Sequence, residues 1–295
     1  MGYLFLSLAL LAGATKGFCG KKTSGFTANM RSAVLLNLIR MLLCIVFSFA
    51  VLLCMGGLDA LTLSPKAIGV SALSGISTAA FVVTWLLSVR KSAYMMVDVF
   101  LMLGTLVPIT LGAVLFSAPV SLRQGIGFAV LLLAVSIMCS YSASLKGKLS
   151  PSSVLLLVAM GVANGVTSFS QKLCVSSSDV PIAIFNLYTY IFAAFALALC
   201  FFCTAGREEL SFSIGKGSRA VYLYVAVMAA ALTAHSYFST AAAAFLDPIK
   251  LYPLNQGMAL ILSTLMAAFF FGEKLKVRAV VGILLSFVAL MMINL

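Results

Sequence analysis

Charged residues are scarce in this sequence, and their scarcity excludes a soluble domain. Of 295 residues, 9% are charged and 63% are hydrophobic, and the mean hydropathy is +1.17. A soluble globule needs far more polar surface than this composition supplies. The chain is therefore predicted to be an all-α integral membrane protein, because apolar runs of about 20 residues favour membrane-spanning helices over the short alternating strands of a barrel.

Acidic residues are the scarcest charged type, with seven carboxylates against 19 Lys and Arg. The carboxylates are spread along the chain and form no cluster for acid–base or metal chemistry, which disfavours a membrane-embedded enzyme. The C-x-x-C at Cys200 and Cys203 has no histidine nearby in sequence, so it does not predict a zinc site. The sequence contains no ring of like charges of the kind that lines a channel, so it does not predict a channel. We expect no catalytic residues, no metal and no cofactor.

The apolar runs predict ten membrane-spanning helices. Three begin with a capping residue followed by proline at the first helical position, namely Ser64-Pro65, Ser150-Pro151 and Asp247-Pro248. The first run lacks the basic start of a signal peptide and is kept as a span. The predicted spans cover residues 2–21, 32–55, 66–89, 93–116, 122–141, 151–172, 181–203, 219–243, 248–271 and 277–294.

The net charge of +12 follows membrane topology rather than nucleic-acid binding. Fourteen basic residues lie at the first, third, fifth, seventh and ninth loops, and four lie on the other face: Lys66, Arg123, Lys172 and Lys250. Positive loops are retained in the cytoplasm. We therefore predict that both termini lie outside the cytoplasm and that no nucleic acid is a partner.

The second half of the chain repeats sparse patterns of the first. One pattern of residues in the second span of the first half recurs 149 residues later in the second span of the second half. A different pattern is shared by the fifth-span regions of the two halves. The matched residues are Asn37, Leu38 and Cys54 with Asn186, Leu187 and Cys203, and Phe116, Arg123 and Gly127 with Phe271, Arg278 and Gly282. Because each half holds five spans, the repeats 1–148 and 149–295 are predicted to be inverted in the bilayer, as in secondary transporters.

Ionisable residues at membrane depth are the strongest candidates for a site, because facing lipid costs them several kcal/mol. Arg40 and Asp98 lie at similar depth and can pair, either as a structural ion pair or as part of a substrate or proton site. His235 can carry a proton, but we favour a neutral role lining a cavity. Lys16 can extend toward the membrane surface or supply positive charge to that cavity.

Uncharged polar residues complete the predicted site. Asn255 and Gln256 follow Pro253 and precede Gly257, a combination that loosens a helix and frees its carbonyl groups. The deepest charges are mainly cationic, so the cavity is predicted to bind a carboxylate-bearing metabolite. The predicted substrate-binding residues are Lys16, Asn37, Arg40, Asp98, Asn164, Asn186, Tyr188, His235, Tyr237, Tyr252, Asn255 and Gln256.

Two five-span repeats and several short motifs resemble the EamA-type drug/metabolite transporters over essentially the whole chain. The motifs are Lys21-Lys22 after the first span, Gln171-Lys172 in the second copy, and Phe270-Phe271-Gly272-Glu273-Lys274-Leu275 before the last span. The chain departs from the family at Ala12-Gly13, where Trp-Gly is common, and at Ser117-Ala118-Pro119, where Gly-Glu closes the fourth span.

The resemblance implies a secondary active carrier in the inner (plasma) membrane. Such a carrier moves a small organic solute, such as an amino acid or carboxylate, by alternating access and often as an exporter. Membrane lipid surrounds it, and protons are a candidate coupling ion. The first span holds no acid, so the proton-exchange glutamate of the small multidrug-resistance relatives has no counterpart. A flippase for a lipid-linked sugar or phosphate stays open as the alternative.

Overall fold

Every regular element in the described part of the chain is an α-helix. The computed structural model describes residues 1–27, 29–55, 61, 64–92, 94–115, 121–146, 150–176, 180–204, 218–246, 248–272 and 276–294. The helices are α1 (Gly2–Ser24), α2 (Met30–Met55), α3 (Pro65–Lys91), α4 (Tyr94–Leu103), α5 (Leu106–Leu115), α6 (Leu122–Lys146), α7 (Pro151–Ser176), α8 (Ile182–Cys203), α9 (Ser218–Phe245), α10 (Pro248–Phe271) and α11 (Val277–Asn294).

Within those residues, eight helices are long and apolar enough to cross a membrane: α1, α2, α3, α6, α7, α8, α9 and α10. A further apolar stretch over Met96–Leu111 and the last helix, over Val277–Met292, are shorter. The chain is therefore an all-α, multi-pass membrane protein, as its composition predicts.

Two of the three predicted helix starts carry the expected side-chain cap. Ala67 donates its backbone N–H to Ser64 Oγ at 3.1 Å, and Ser153 donates to Ser150 Oγ at 3.3 Å. In both cases the proline is the first helical residue, where its missing N–H costs no hydrogen bond. The third helix also begins at its proline, Pro248, but Asp247 lies outside the described residues.

The span predicted over 93–116 is not one continuous helix, because Gly104 and Thr105 separate α4 from α5. Pro108 has no N–H to donate to the Gly104 carbonyl four residues earlier, and its ring crowds that group. Val107 donates to this carbonyl instead, at 3.2 Å. The Thr105 hydroxyl also donates to the Met102 carbonyl at 2.7 Å, so the chain makes a tight turn in the middle of the span.

The helices form two compact units, each built from both halves of the sequence. Unit 1 comprises Met1–Leu87 and Ser170–Phe245, and unit 2 comprises Ser88–Phe169 and Leu246–Leu295. The compact units therefore differ from the predicted repeats 1–148 and 149–295. The repeats concern internal symmetry rather than compactness, and they stay a prediction.

In unit 1, α2 and α8 pack in opposite directions. Leu52, near the end of α2, packs on Ala183 and Ile184 at the start of α8. At the other end, the Arg31 guanidinium lies 4.9 Å from the centre of the Phe201 ring. Helix α9 packs against both α2 and α8, and α1 packs along α9.

In unit 2, α6 packs against α11, and α4 packs against α6 and α10. Arg278, at the start of α11, donates to Ser140 near the end of α6 at 3.2 Å, so these two helices are also antiparallel. The first residue of α4, Tyr94, makes an edge-to-face contact with Phe271, the last residue of α10.

A close backbone approach holds the turn between α4 and α5 against α7. A Cβ added at Gly104 would lie 2.3 Å from the Gly161 carbonyl oxygen, and one added at Gly165 would lie 2.2 Å from the Gly104 carbonyl oxygen. Only glycine fits such an approach, because a methyl group at either position would overlap backbone atoms.

Candidate functional site

A band of buried polar side chains lies where α2, α8 and α9 meet in unit 1. The polar band consists of Arg40 and Cys44 from α2, Asn186 and Tyr190 from α8, and Thr233 and Ser236 from α9. Arg40 and Cys44 are one turn apart on α2, as are Asn186 and Tyr190 on α8, so the members of each pair lie on the same face of their helix. The three helices are predominantly apolar, and Asn37 and Thr189 are further buried polar residues close to the band in sequence.

Arg40 is the charged member of the band and is almost completely enclosed, with 2% of its surface exposed. Its Nη1 donates to the Met228 sulfur at 3.3 Å, and its Nε has no hydrogen-bond partner among the described residues. The Cys44 thiol and the Tyr190 phenol interact electrostatically with the guanidinium. A thioether is a weak acceptor, so the charge is poorly compensated by this part of the protein.

The uncharged members of the band are tied to each other and to helix backbone. Ser236 donates to Asn186 Oδ1 at 2.6 Å, and Tyr190 donates to the Leu232 carbonyl at 3.3 Å. The Cys44 thiol donates to the Ala229 carbonyl at 3.5 Å. Asn186 Nδ2 is buried without a hydrogen-bond partner in the described part of the chain, so the band keeps an unused neutral donor as well as the Arg40 Nε–H.

Arg40 lies near the middle of the helix that carries it, whereas Asn186 is in the second turn of α8. Arg40 is the eleventh of 26 residues in α2, about 4 Å from the helix midpoint at ~1.5 Å per residue. A helix of this length and hydropathy covers the bilayer core. Arg40 therefore lies close to the centre of the membrane, where the long side chain is least able to reach water.

His235 is held by α1 rather than by the band. Its Nδ1 lies 2.8 Å from the Ala9 carbonyl oxygen, which makes Nδ1 the donor and leaves Nε2 as the second ring nitrogen. Gly13 lies against the same ring, since an added Cβ there would be 3.2 Å from Nδ1. Lys16 interacts electrostatically with this imidazole, and its Nζ lies 5.8 Å from the centre of the Phe81 ring.

Three other predicted residues of unit 1 make helix-to-helix contacts. Asn37 Nδ2 donates to the Ala33 carbonyl at 2.8 Å and to the Val82 carbonyl of α3 at 3.3 Å. Tyr188 and Tyr237 pack against the apolar cluster around Leu52, and the Tyr237 hydroxyl donates to the Met55 sulfur at 3.0 Å.

Five predicted residues belong to unit 2 and are dispersed over three helices: Asp98, Asn164, Tyr252, Asn255 and Gln256. The Tyr252 hydroxyl donates to the Ser168 carbonyl at 2.7 Å, which ties α10 to α7. Asn255 is half-buried with its Oδ1 unpartnered among the described residues, and Gln256 is half-buried beside it. Asp98 and Asn164 are also half-buried. Pairing of Asp98 with Arg40 joins residues of different units and stays a prediction.

Cys44, Tyr190, Thr233 and Ser236 were missed as site residues by sequence reasoning. The available signal is their spacing, because Arg40 and Cys44, or Asn186 and Tyr190, are four residues apart and therefore share one helix face.

The cysteines and the described titratable groups do not assemble a metal site. All seven cysteines are free thiols. In the part of the chain that the structure describes, no three His, Cys, Asp or Glu side chains come together as metal ligands.

Comparison with known proteins identifies solved structures of similar fold but no named family. No family model and no curated protein matches the sequence. Solved structures do match, with 28 chains in all. One, a crystal structure described only as that of a protein, superposes with a TM-score of 0.66 over 99% of this chain and 95% of its own length, at 14% sequence identity. A likeness at this identity establishes the fold alone.

Proposed function

We propose that this protein is a secondary active transporter of a small polar metabolite, such as an amino acid or carboxylate, in the inner (plasma) membrane. It works by alternating access and consists of two inverted repeats, 1–148 and 149–295, of five spans each. The proposal agrees with the resemblance to EamA-type drug/metabolite transporters, which also favours export, with protons as the candidate coupling ion.

The observation that carries the proposal is the antiparallel packing of helices that are equivalent in the two repeats. A two-fold axis in the membrane plane reverses a helix, so two equivalent helices that touch must run in opposite directions. Helices α2 and α8 are the second and seventh predicted spans, and α6 and α11 are the fifth and tenth. Both pairs are antiparallel.

The register of the α2 and α8 contact supports the same symmetry. At the offset of 149, Leu52 corresponds to Phe201 and Ile184 corresponds to Leu35. The contact between Leu52 and Ile184 is therefore expected to recur between Phe201 and Leu35. The observed partner of Phe201 is Arg31, about one helical turn from Leu35.

The polar band supports transport rather than a structural role for these helices. Secondary transporters with inverted repeats bind their solute near the bilayer midplane, where the repeats meet. Arg40 lies near the middle of α2, and the band offers the unused donors Arg40 Nε–H and Asn186 Nδ2–H. A solute that accepts a hydrogen bond from Arg40 Nε–H would complete the coordination of this group.

Uptake into proteoliposomes tests the proposal. The purified chain is reconstituted, and the vesicles are screened with pooled radiolabelled or mass-tagged metabolites, with and without a pH gradient. We expect saturable flux of a small polar solute above that of protein-free vesicles, and a pH gradient that changes this flux identifies protons as the coupling ion. Movement of a fluorescent lipid-linked sugar or phosphate between leaflets, without solute flux, would replace the proposal by the flippase alternative.

A further inference from the structure

We propose that Arg40 is a receptor for a single carboxylate group, which enters the polar band and displaces the guanidinium from the Met228 sulfur. This inference rests on the proposed function and names the chemical class of its substrate. The strongest observation is a guanidinium 98% buried near the centre of an apolar helix, with an unpartnered Nε and a sulfur atom as the acceptor for Nη1.

A buried guanidinium needs an anion, because arginine stays protonated in proteins and burial of an unpaired charge costs several kcal/mol. Unit 1 supplies none among the residues that the structure describes. Asp98 is the one acidic side chain within the described ranges, and it belongs to unit 2. An anionic ligand would provide the charge that the helices around Arg40 lack.

The geometry of the free groups favours a carboxylate. The planar guanidinium presents parallel N–H donors that match the two oxygens of a carboxylate. Arg40 is the one charged side chain of the polar band, whose other members are neutral. A single cation balances a single negative charge, so a dianion such as phosphate or malonate would enter the apolar interior with one charge uncompensated.

The only tryptophan of the chain is placed to report binding at Arg40. Trp85 and Met228 both border Gly20, since a Cβ added there would lie 2.4 Å from the indole ring and 3.4 Å from the Met228 sulfur. Movement of Arg40 away from this sulfur changes the surroundings of the indole. Intrinsic fluorescence of the detergent-purified full chain therefore measures occupancy without a label.

The test compares carboxylates with their own amides. Lactate, benzoate and glycine are each titrated against lactamide, benzamide and glycinamide, with inorganic phosphate and malonate as dianions. We expect at least one monocarboxylate to bind about 10- to 100-fold more tightly than its amide, the ratio given by one charge-assisted hydrogen bond or more. Amides that bind as tightly as every acid, or dianions that bind more tightly, overturn the proposal.

Matched variants assign the preference to Arg40. Arg40→Gln should remove the difference between acid and amide, and Arg40→Lys, which keeps the charge but loses the planar fork, should retain part of it. Arg123→Gln is the control, because Arg123 is exposed at the start of α6. A carboxylate preference that persists unchanged in Arg40→Gln overturns the proposal, and the comparison of ligands in the unaltered protein decides the question if that variant does not fold.

The same measurements separate this inference from the proposed function. If carboxylate binding depends on Arg40 but the protein moves no solute across the vesicle membrane, the transport proposal is refuted. The proposal that Arg40 binds a carboxylate then still stands. If Arg40→Gln carries solute at the original rate and affinity, the transport proposal stands and the proposal that Arg40 binds the carboxylate is refuted.

Discussion

Replacing Gly161 with alanine should destabilise the protein, because this glycine lets α7 touch the backbone of α4. The Cβ of the alanine would lie 2.6 Å from the Phe100 carbonyl oxygen, and Gly104, directly after the end of α4, already approaches the Gly161 carbonyl closely. Both neighbours are backbone atoms, which cannot rotate away. Relief requires the two helices to separate, and such overpacking costs about 1–3 kcal/mol.

The expected cost must be set against the gain of alanine in a helix, about 0.4–1 kcal/mol. The variant Gly125→Ala measures this gain without any overpacking cost, since Gly125 lies in α6 with no atom within 4 Å of an added Cβ. Gly161→Ala should therefore be less stable than Gly125→Ala by about 1–3 kcal/mol. Gly104→Ala, with its Cβ 2.3 Å from the Gly161 carbonyl oxygen, should show a loss of the same sign.

Thermal unfolding of the purified variants in one detergent checks this expectation. The fraction that remains monodisperse after heating gives an apparent melting temperature, which is compared at a fixed heating rate because membrane proteins commonly unfold irreversibly. Gly161→Ala should melt below the unaltered protein, and Gly125→Ala at or above it. Equal melting temperatures for the two variants would refute the close approach of α4 and α7.

Three further outcomes are expected. A reporter that is active only in the cytoplasm should stay inactive when fused to the C-terminus, because the positive loops place both termini outside, and activity there would reverse the orientation. Ser236→Ala should lower the free energy of unfolding by about 1–3 kcal/mol, since Asn186 Oδ1 loses its buried donor, whereas Ser7→Ala on the exposed face of α1 should change melting little. Arg40→Ala should abolish solute flux with little loss of melting temperature; a fall equivalent to about 3–5 kcal/mol in both Arg40→Ala and Asp98→Ala would instead indicate a buried ion pair between them.

The helices were predictable from sequence because their length and hydropathy are set by the membrane. The starts at Pro65 and Pro151 follow from local chemistry, since the proline and the serine before it satisfy the helix terminus within four residues. The break at Gly104 was not predicted, although Pro108 is a signal for it, because the largely apolar composition of 93–116 gives no sign of a disrupted hydrogen bond.

The site was less predictable than the fold, because depth along a helix does not tell which side chains meet. Arg40 and Asn186 were identified from their polarity in apolar helices, and both belong to the polar band. Tyr188 and Tyr237 have the same polarity and depth, yet they pack around Leu52. The difference lies in the rotation of each helix about its axis, which a low contrast between apolar and polar faces leaves undetermined.

The composition of the two units has a consequence for how the chain is made. Unit 1 joins Met1–Leu87 to Ser170–Phe245, and unit 2 joins Ser88–Phe169 to Leu246–Leu295. During synthesis at about 5–20 residues per second, α1 and α2 must wait on the order of 10–40 s for their partner α9. In that interval Arg40 has no neighbour from α9 to enclose it. The first helices therefore cannot enter the lipid as a completed domain. Nearly the whole chain must be synthesised before either unit can close.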